Sequence, residues 1–312
     1  MRLIFAGTPQ AAVPSLQQLL ASEHDVVAVL TRPDARVGRG KKLTRSAVGE
    51  VADDAGIALL QPASLRDEGV VQQLAEFEPD VCPVVAYGGL VPTDALAVPK
   101  YGWVNLHFSL LPAWRGAAPV QHAIWHGDSV TGATTFLLDE GLDTGPVFGM
   151  MVEDLEPRDT SGVVLERLAE SGAGLLLATV DGIATGELVA VPQPSDGISL
   201  APKISVADAR IDWRLAATQI DRQVRACDPA PGAWTTFRDE RVKIFPVALV
   251  DEGFDEGSIE PGVIVNPQRN VWAVGTLTGP VALGEVQPAG KRRMAAADWF
   301  RGLSDSATDS FH

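Results

Sequence analysis

Arg2-Leu3-Ile4-Phe5-Ala6-Gly7-Thr8-Pro9 opens the chain, and Asp25-Val26-Val27-Ala28-Val29-Leu30 follows it. Between them, over residues 11–21, Val13, Leu16, Leu19 and Leu20 recur at helical spacing. A short apolar run, a turn, an amphipathic helix and a second apolar run make an opening βαβ unit, the signature of an open parallel sheet. Gly7 stands alone in that turn. The G-x-G-x-x-G fingerprint is missing, which weighs against a nicotinamide-dependent enzyme on a similar topology.

The alternation continues along the chain. The pattern predicts helices over 46–56, 67–77, 119–126 and 161–183, and strands over 57–60, 81–86, 104–107, 131–138 and 147–152. Residues 190–205, with Pro192, Pro194 and Pro202, read as a connector. Beyond it a helix is predicted over 213–226, then five short strands over 233–237, 242–250, 262–265, 271–276 and 281–286, spaced by Gly and Pro turns. The expected fold class is α/β: a doubly wound, mostly parallel Rossmann-like sheet over 1–189, a linker over 190–205, and a small OB-like β-barrel over 206–312.

Composition fits a full core, with 46% hydrophobic and 21% charged residues among 312. No uncharged apolar run is long enough for a transmembrane helix, and the N-terminus has no signal-peptide pattern. Cys82 and Cys227 form no metal or redox motif. A reduced, cytoplasmic setting without membrane contact, and a monomer, are expected. The net charge of −15 argues against a nonspecific nucleic-acid binder. Residues 31–45 depart from this, with Arg32, Arg36, Arg39, Lys41, Lys42 and Arg45 set against Asp34 alone, a local net of +5. With Gly38 and Gly40 inside it, this segment reads as a functional loop rather than a regular element. Residues 206–312 carry 12 Lys and Arg against 15 Asp and Glu, less basic than a nucleic-acid-binding barrel would be.

The chemistry concentrates in Asn105-Leu106-His107-Phe108-Ser109-Leu110-Leu111-Pro112-Ala113-Trp114-Arg115-Gly116 and in Asp139-Glu140-Gly141-Leu142-Asp143-Thr144-Gly145. Asn105 and His107, two apart on a strand, leave one face of it. Asp143 sits in the loop after a neighbouring strand. Each alone is an ordinary residue; together an amide, an imidazole and a carboxylate can polarise a carbonyl, move a proton and orient the group that moves it. Tyr87-Gly88-Gly89 turns the chain at another strand end, where ligands of such sheets bind. Arg115-Gly116 either pins the loop or meets a ligand carboxylate or phosphate. His122 and His126, at i and i+4, have no carboxylate between them and are read as ordinary helix residues. Trp114 adjoins the site, while Trp213, Trp234 and Trp272 are expected in the core of the second domain.

The two motifs together resemble the folate-dependent formyltransferases. The likeness extends along nearly the whole chain through Phe5 to Pro9, Gly38 to Lys42, Ala86-Tyr87-Gly88, Arg115 to Gln121, Lys203-Ile204, Ile211 to Trp213 and Gln287 to Lys291. The resemblance implies 10-formyltetrahydrofolate as formyl donor, the α-amino group of methionine on initiator tRNA as acceptor, and no metal. It implies Asn105, His107 and Asp143 as catalytic residues. Folate contacts are expected from Ser109, Leu110, Leu111 and Pro112 beside the flat pterin, with Tyr87, Gly88 and Asp139. It also places Arg39, with Lys41 and Lys42, at the acceptor end of the tRNA. Formyl transfer to a small amine, or hydrolysis of the donor, would use the same three catalytic residues. A tRNA-binding module with a vestigial fold is disfavoured by the intact triad.

Overall fold

The first strand is buried from its second residue onward, as expected where both faces of a parallel sheet are covered. The computed structural model describes residues 1–37, 42–250, 259–303 and 310–312. In chain order, β1 (Arg2–Gly7) leads through a 3-10 turn (Gln10–Ala12) into α1 (Val13–Leu20), then β2 (Asp25–Leu30), β3 (Ala35–Val37), β4 (Lys42–Thr44), α2 (Ala47–Asp54) and β5 (Ala58–Leu60). Next come α3 (Val70–Glu76), β6 (Cys82–Val85), α4 (Thr93–Leu96), β7 (Trp103–His107), α5 (Pro119–His126), β8 (Val130–Leu137), β9 (Val147–Asp154) and α6 (Ser161–Thr185).

Seven strands form one sheet in the order β5-β2-β1-β6-β7-β8-β9. The first five pair in parallel; β8 and β9 join antiparallel. The sheet is mixed but mostly parallel, and its order reverses between β1 and β6, which opens a crevice beyond the strand ends. The edge strand β9 alternates shielded and exposed residues along its outer half, the pattern of a strand with one wet face. Trp103, Phe5 and Phe136 fill the core, and the buried Trp103 Nε1 donates to Ala95 O at 2.8 Å.

The basic segment is not wholly irregular. Ala35–Val37 and Lys42–Thr44 pair antiparallel, so cross-strand bonds satisfy the backbone of a two-stranded ribbon whose polar composition had suggested a loop. Arg39 and Lys41 lie outside the described residues; Lys42 is exposed on β4.

By contact, the chain separates into two compact units: Met1–Pro119, Val130–Asp154 and Leu165–Leu200 form one, and Val120–Ser129, Leu155–Val164 and Ala201–His312 the other. The second holds α7 (Ala217–Ala226), β10 (Trp234–Phe237), β11 (Glu240–Ile244), β12 (Ala248–Leu249), β13 (Ile264–Gln268), β14 (Val271–Val274), β15 (Val281–Leu283), β16 (Glu285–Pro288), β17 (Met294–Ala295) and α8 (Ala296–Arg301). The helix expected from residue 213 starts later. The Asp212 carboxylate accepts from the backbone N–H and guanidinium of Arg214, and Asp212 O accepts from Leu215 N, a local turn that competes with the helix.

Two of the expected strands break. Pro246 separates β11 from β12, and Gly284 separates β15 from β16. Proline lacks the N–H a ladder needs and glycine permits the bend. At Pro246 the chain passes from the sheet β10-β11-β16-β17 to the sheet β12-β15-β14-β13, and at Gly284 it passes back, so the C-terminal unit is two four-stranded antiparallel sheets joined at these corners. Trp213, stacked on Phe311 at 5.5 Å, belongs to its core, as does Phe237 against Trp299. Trp234 does not: it is half-buried with the Arg241 guanidinium 3.9 Å from its ring centroid.

Candidate active site

β6 and β7 end beside each other at the crevice, and a cavity of about 360 Å³ lies there. Tyr87 and Gly88 from the loop after β6, Asn105 and His107 from β7, Gly116, and Asp143 from the loop after β8 all line it. The parallel pairing of Val84 with Asn105 sets this neighbourhood. Three of the seven non-glycine residues with left-handed φ among the described residues are here: Ala86 at 47°, Trp114 at 60° and Asp143 at 53°. Backbone strain held at one place points to a site whose geometry is imposed by its surroundings.

His107 is 6% exposed. Its Nε2 lies 2.9 Å from Trp114 O, and a carbonyl only accepts, so Nε2 carries the proton and donates. In the neutral imidazole Nδ1 is then the free base. Nδ1 faces Asp143 Oδ2 at 3.8 Å, an electrostatic distance rather than a hydrogen bond. Burial pushes His107 below the usual histidine range, while the Asp143 charge and the Trp114 carbonyl oppose it. The carboxylate is held in turn by Gly116 N, which donates to Asp143 Oδ2 at 2.7 Å. Asn105 is half-buried, and its carboxamide has no hydrogen-bond partner among the described residues.

The loops are held with little slack. Gly145 is required by close approach, since a Cβ there would stand 1.8 Å from Leu137 O. Asp139 is exposed and accepts from Gly141 N at 3.0 Å and from Thr144 Oγ1 at 2.8 Å, closing its own loop. Ser109, Leu110, Leu111 and Pro112 do not line the cavity either; Phe108 does. Thr134 Oγ1 donates to Ser109 O at 2.6 Å and accepts from Leu111 N at 3.2 Å, and Ser109 Oγ donates to Ala113 O at 2.6 Å. The structure therefore brings Asn105, His107, Asp143, Tyr87 and Gly88 to one cavity, whose lining does not include Asp139 or Ser109 to Pro112.

Arg115 pins its loop: Nε and Nη2 donate to Gln193 Oε1 at 3.1 and 2.7 Å. His122 Nε2 and His126 Nδ1 are each engaged by backbone carbonyls, those of Pro202 and His122. Among the described residues no group of three or more His, Cys, Asp or Glu side chains is placed to hold a metal ion. The Trp114 carbonyl, the Gly116 N–H and Gln193 escape sequence reasoning. Backbone groups leave no side-chain signal, and Gln193 lies in a connector without periodicity.

Residues 1–180 match the family described as Formyl transferase, and residues 203–304 match Formyl transferase, C-terminal domain. The methionyl-tRNA formyltransferase of Thermobifida fusca (strain YX) is 59% identical over 302 residues, covering 97% of this chain and 96% of that protein. The chain belongs to the methionyl-tRNA formyltransferase family. It is a formyl-transferring enzyme, and as a formyltransferase it shares its fold with more distant solved structures. HypX from Aquifex aeolicus in complex with tetrahydrofolic acid superposes with a TM-score of 0.66 at 17% identity, covering 100% of this chain and 50% of that one. This formyltransferase thus spans about half the length of that protein. The methionyl-tRNA formyltransferase from Clostridium thermocellum superposes with a TM-score of 0.58 at 15% identity, covering 81% and 95% of the two chains.

Proposed function

We propose that this enzyme transfers the formyl group of 10-formyltetrahydrofolate to the α-amino group of methionine on initiator tRNA, with Asn105, His107 and Asp143 as catalytic residues. Family membership supports the reaction. The observation that carries the residue assignment is the arrangement at β7: an unpartnered carboxamide beside an imidazole whose proton is fixed on Nε2 by Trp114 O. A cavity of about 360 Å³, with Tyr87 and Gly88 in its wall, is within the usual size range for small-molecule sites and suits a flat heterocycle. Ser109 to Pro112 and Asp139, outside the cavity lining, are proposed to meet the parts of the folate that extend beyond it.

The acceptor amine adds to the formyl carbon, a new C–N bond forms, and the carbonyl oxygen gains negative charge. Asn105 Nδ2 donates to that oxyanion, a contribution of roughly 10²–10³ in rate. His107 Nδ1 takes the proton of the attacking nitrogen and returns it to N10 as the C–N10 bond breaks, contributing roughly 10²–10⁴. Asp143 stabilises the transient imidazolium by charge at 3.8 Å.

Arg39 and Lys41, outside the described residues, and Lys42 on β4 are proposed to hold the acceptor end of the tRNA by phosphate contacts. Arg39→Ala is then expected to raise KM for tRNA with donor binding unchanged. We take the enzyme to be a cytoplasmic monomer, which size-exclusion chromatography checks for the oligomeric part. Among the described residues no helix is long and apolar enough to cross a membrane.

The deciding experiment incubates the protein with 10-formyltetrahydrofolate and charged initiator or elongator tRNA. Formylation of the initiator in preference to the elongator is expected. Formylation only of a small amine, or donor hydrolysis alone, would overturn the acceptor assignment.

A further inference from the structure

The segment 191–200 crosses both loops of the site. Val191 and Val147 exchange backbone hydrogen bonds at 2.8 Å each. Further on, Ser199 O accepts from Arg115 N at 2.9 Å, Ser199 Oγ accepts from Trp114 N at 2.9 Å, and Ser199 N donates to Pro112 O at 3.4 Å. Within this exposed stretch only Gln193 and Ser199 are shielded from solvent.

Gln193 has every side-chain bond satisfied. Nε2 donates to Asp143 O and to Gly145 O, both at 2.8 Å, and Oε1 accepts from Arg115 Nε and Nη2. Two carbonyls only accept and a guanidinium only donates, so the amide has one possible orientation. Its contacts fall on either side of the His107 partners. Arg115 lies between Trp114, whose carbonyl holds His107 Nε2, and Gly116, whose N–H holds the Asp143 carboxylate. The two carbonyls belong to Asp143 itself and to Gly145, two residues further on. A single side chain therefore spans the loop of the imidazole's proton acceptor and the loop of its counter-charge, and both loops carry a residue with left-handed φ.

We propose that Gln193 is a positioning residue for formyl transfer: it fixes the distance between Asp143 and His107 by tying the Asp143 loop to Arg115. This rests on the assignment of Asp143 and His107 to the reaction. Loss of the tie lets the left-handed Asp143 turn relax, and a displacement of about 1 Å at such a site can cost about 10²-fold in rate. With Asp143 farther away, less charge opposes the burial of His107, so its proton is held more weakly.

The test uses the full chain carrying Gln193→Ala, Gln193→Glu or Asp143→Asn, with 10-formyltetrahydrofolate and charged initiator tRNA, and reads kcat, KM and the kcat–pH profile. For Gln193→Ala, kcat falls about 10- to 100-fold. KM for the donor stays within about twofold, as expected when only transition-state interactions are lost, and the acid limb moves to lower pH. Gln193→Glu keeps the volume and the Arg115 contacts but removes both donors; it shows the same loss of kcat and stands in should Gln193→Ala fail to fold. A folded Gln193 variant with unchanged kcat and acid limb, or a loss confined to KM, overturns the proposal. Asp143→Asn at full activity overturns the underlying assignment instead.

Discussion

His107 Nδ1 and Asp143 Oδ2 face each other at 3.8 Å, while the other ring nitrogen donates to Trp114 O at 2.9 Å. Two tasks that the sequence leaves to one aspartate are thereby divided. The backbone carbonyl of Trp114 selects the tautomer, and the carboxylate supplies charge. Nδ1 is left as the base, with a counter-ion near enough to stabilise its protonated form but too far to take its proton.

Burial holds His107 below its ordinary pKa, so it is neutral near pH 7 and kcat falls only as the pH drops below about 6.5. Asp143→Asn removes a charge that raises this pKa, so the acid limb of its residual activity moves to lower pH. The stability linkage has the same origin. Below about pH 6.5 the unfolded chain binds a proton at this histidine that the folded chain does not. Its contribution therefore weakens as pH falls from the unfolded pKa toward the folded one. Urea titrations of wild type and His107→Gln between pH 7 and 5 check this, the wild type losing more stability than the variant.

Asn105→Ala separates catalysis from folding. The carboxamide has no partner among the described residues, so its removal is expected to change stability by no more than about 0.5 kcal/mol. The loss of an oxyanion donor lowers kcat by roughly 10²–10³. Single-turnover formylation and thermal unfolding of the same preparation measure both, and near-normal turnover removes the oxyanion role.

Thr134→Val tests the support behind the cavity. The hydroxyl is fully buried, donating to Ser109 O and accepting from Leu111 N. Valine keeps the shape and leaves two backbone groups unsatisfied, at a cost of about 1–3 kcal/mol. Denaturant midpoints measure it; a neutral result would show that the 109–112 loop finds other partners.

In the C-terminal unit, Arg225 Nε donates to Asp221 Oδ2 at 2.8 Å along α7, and both residues are buried. Asp221→Ala removes the carboxylate from the buried Arg225 and from the exposed Arg158, 3.6 Å away on the other oxygen, with an expected loss of about 3–5 kcal/mol, mainly from the buried pair. Asp221→Ala combined with Arg225→Met is expected to recover part of it, because replacing a buried pair is milder than breaking one. Equilibrium unfolding of the single and double variants decides.

The features legible from the residues alone are local or periodic. The βαβ opening, the two-residue spacing of Asn105 and His107 on β7, and the loop position of Asp143 follow from side-chain periodicity and turn chemistry. The two motifs were specific enough to carry the family resemblance. Tertiary structure decided whatever depends on groups that pattern reading does not see. A carbonyl of Trp114 and an N–H of Gly116 complete the His107–Asp143 arrangement, and every backbone carries the same such groups whatever its side chains. Gln193 reaches Asp143 across 50 residues of chain, from a proline-containing connector with no helix or strand periodicity. The 109–112 loop is tied to β8 by one buried hydroxyl of Thr134, 25 residues away from Ser109, a contact that no local pattern announces. The strand corners at Pro246 and Gly284 lie between these extremes: the residues announce a break, and only the pairing of the strands shows that the chain changes sheet there.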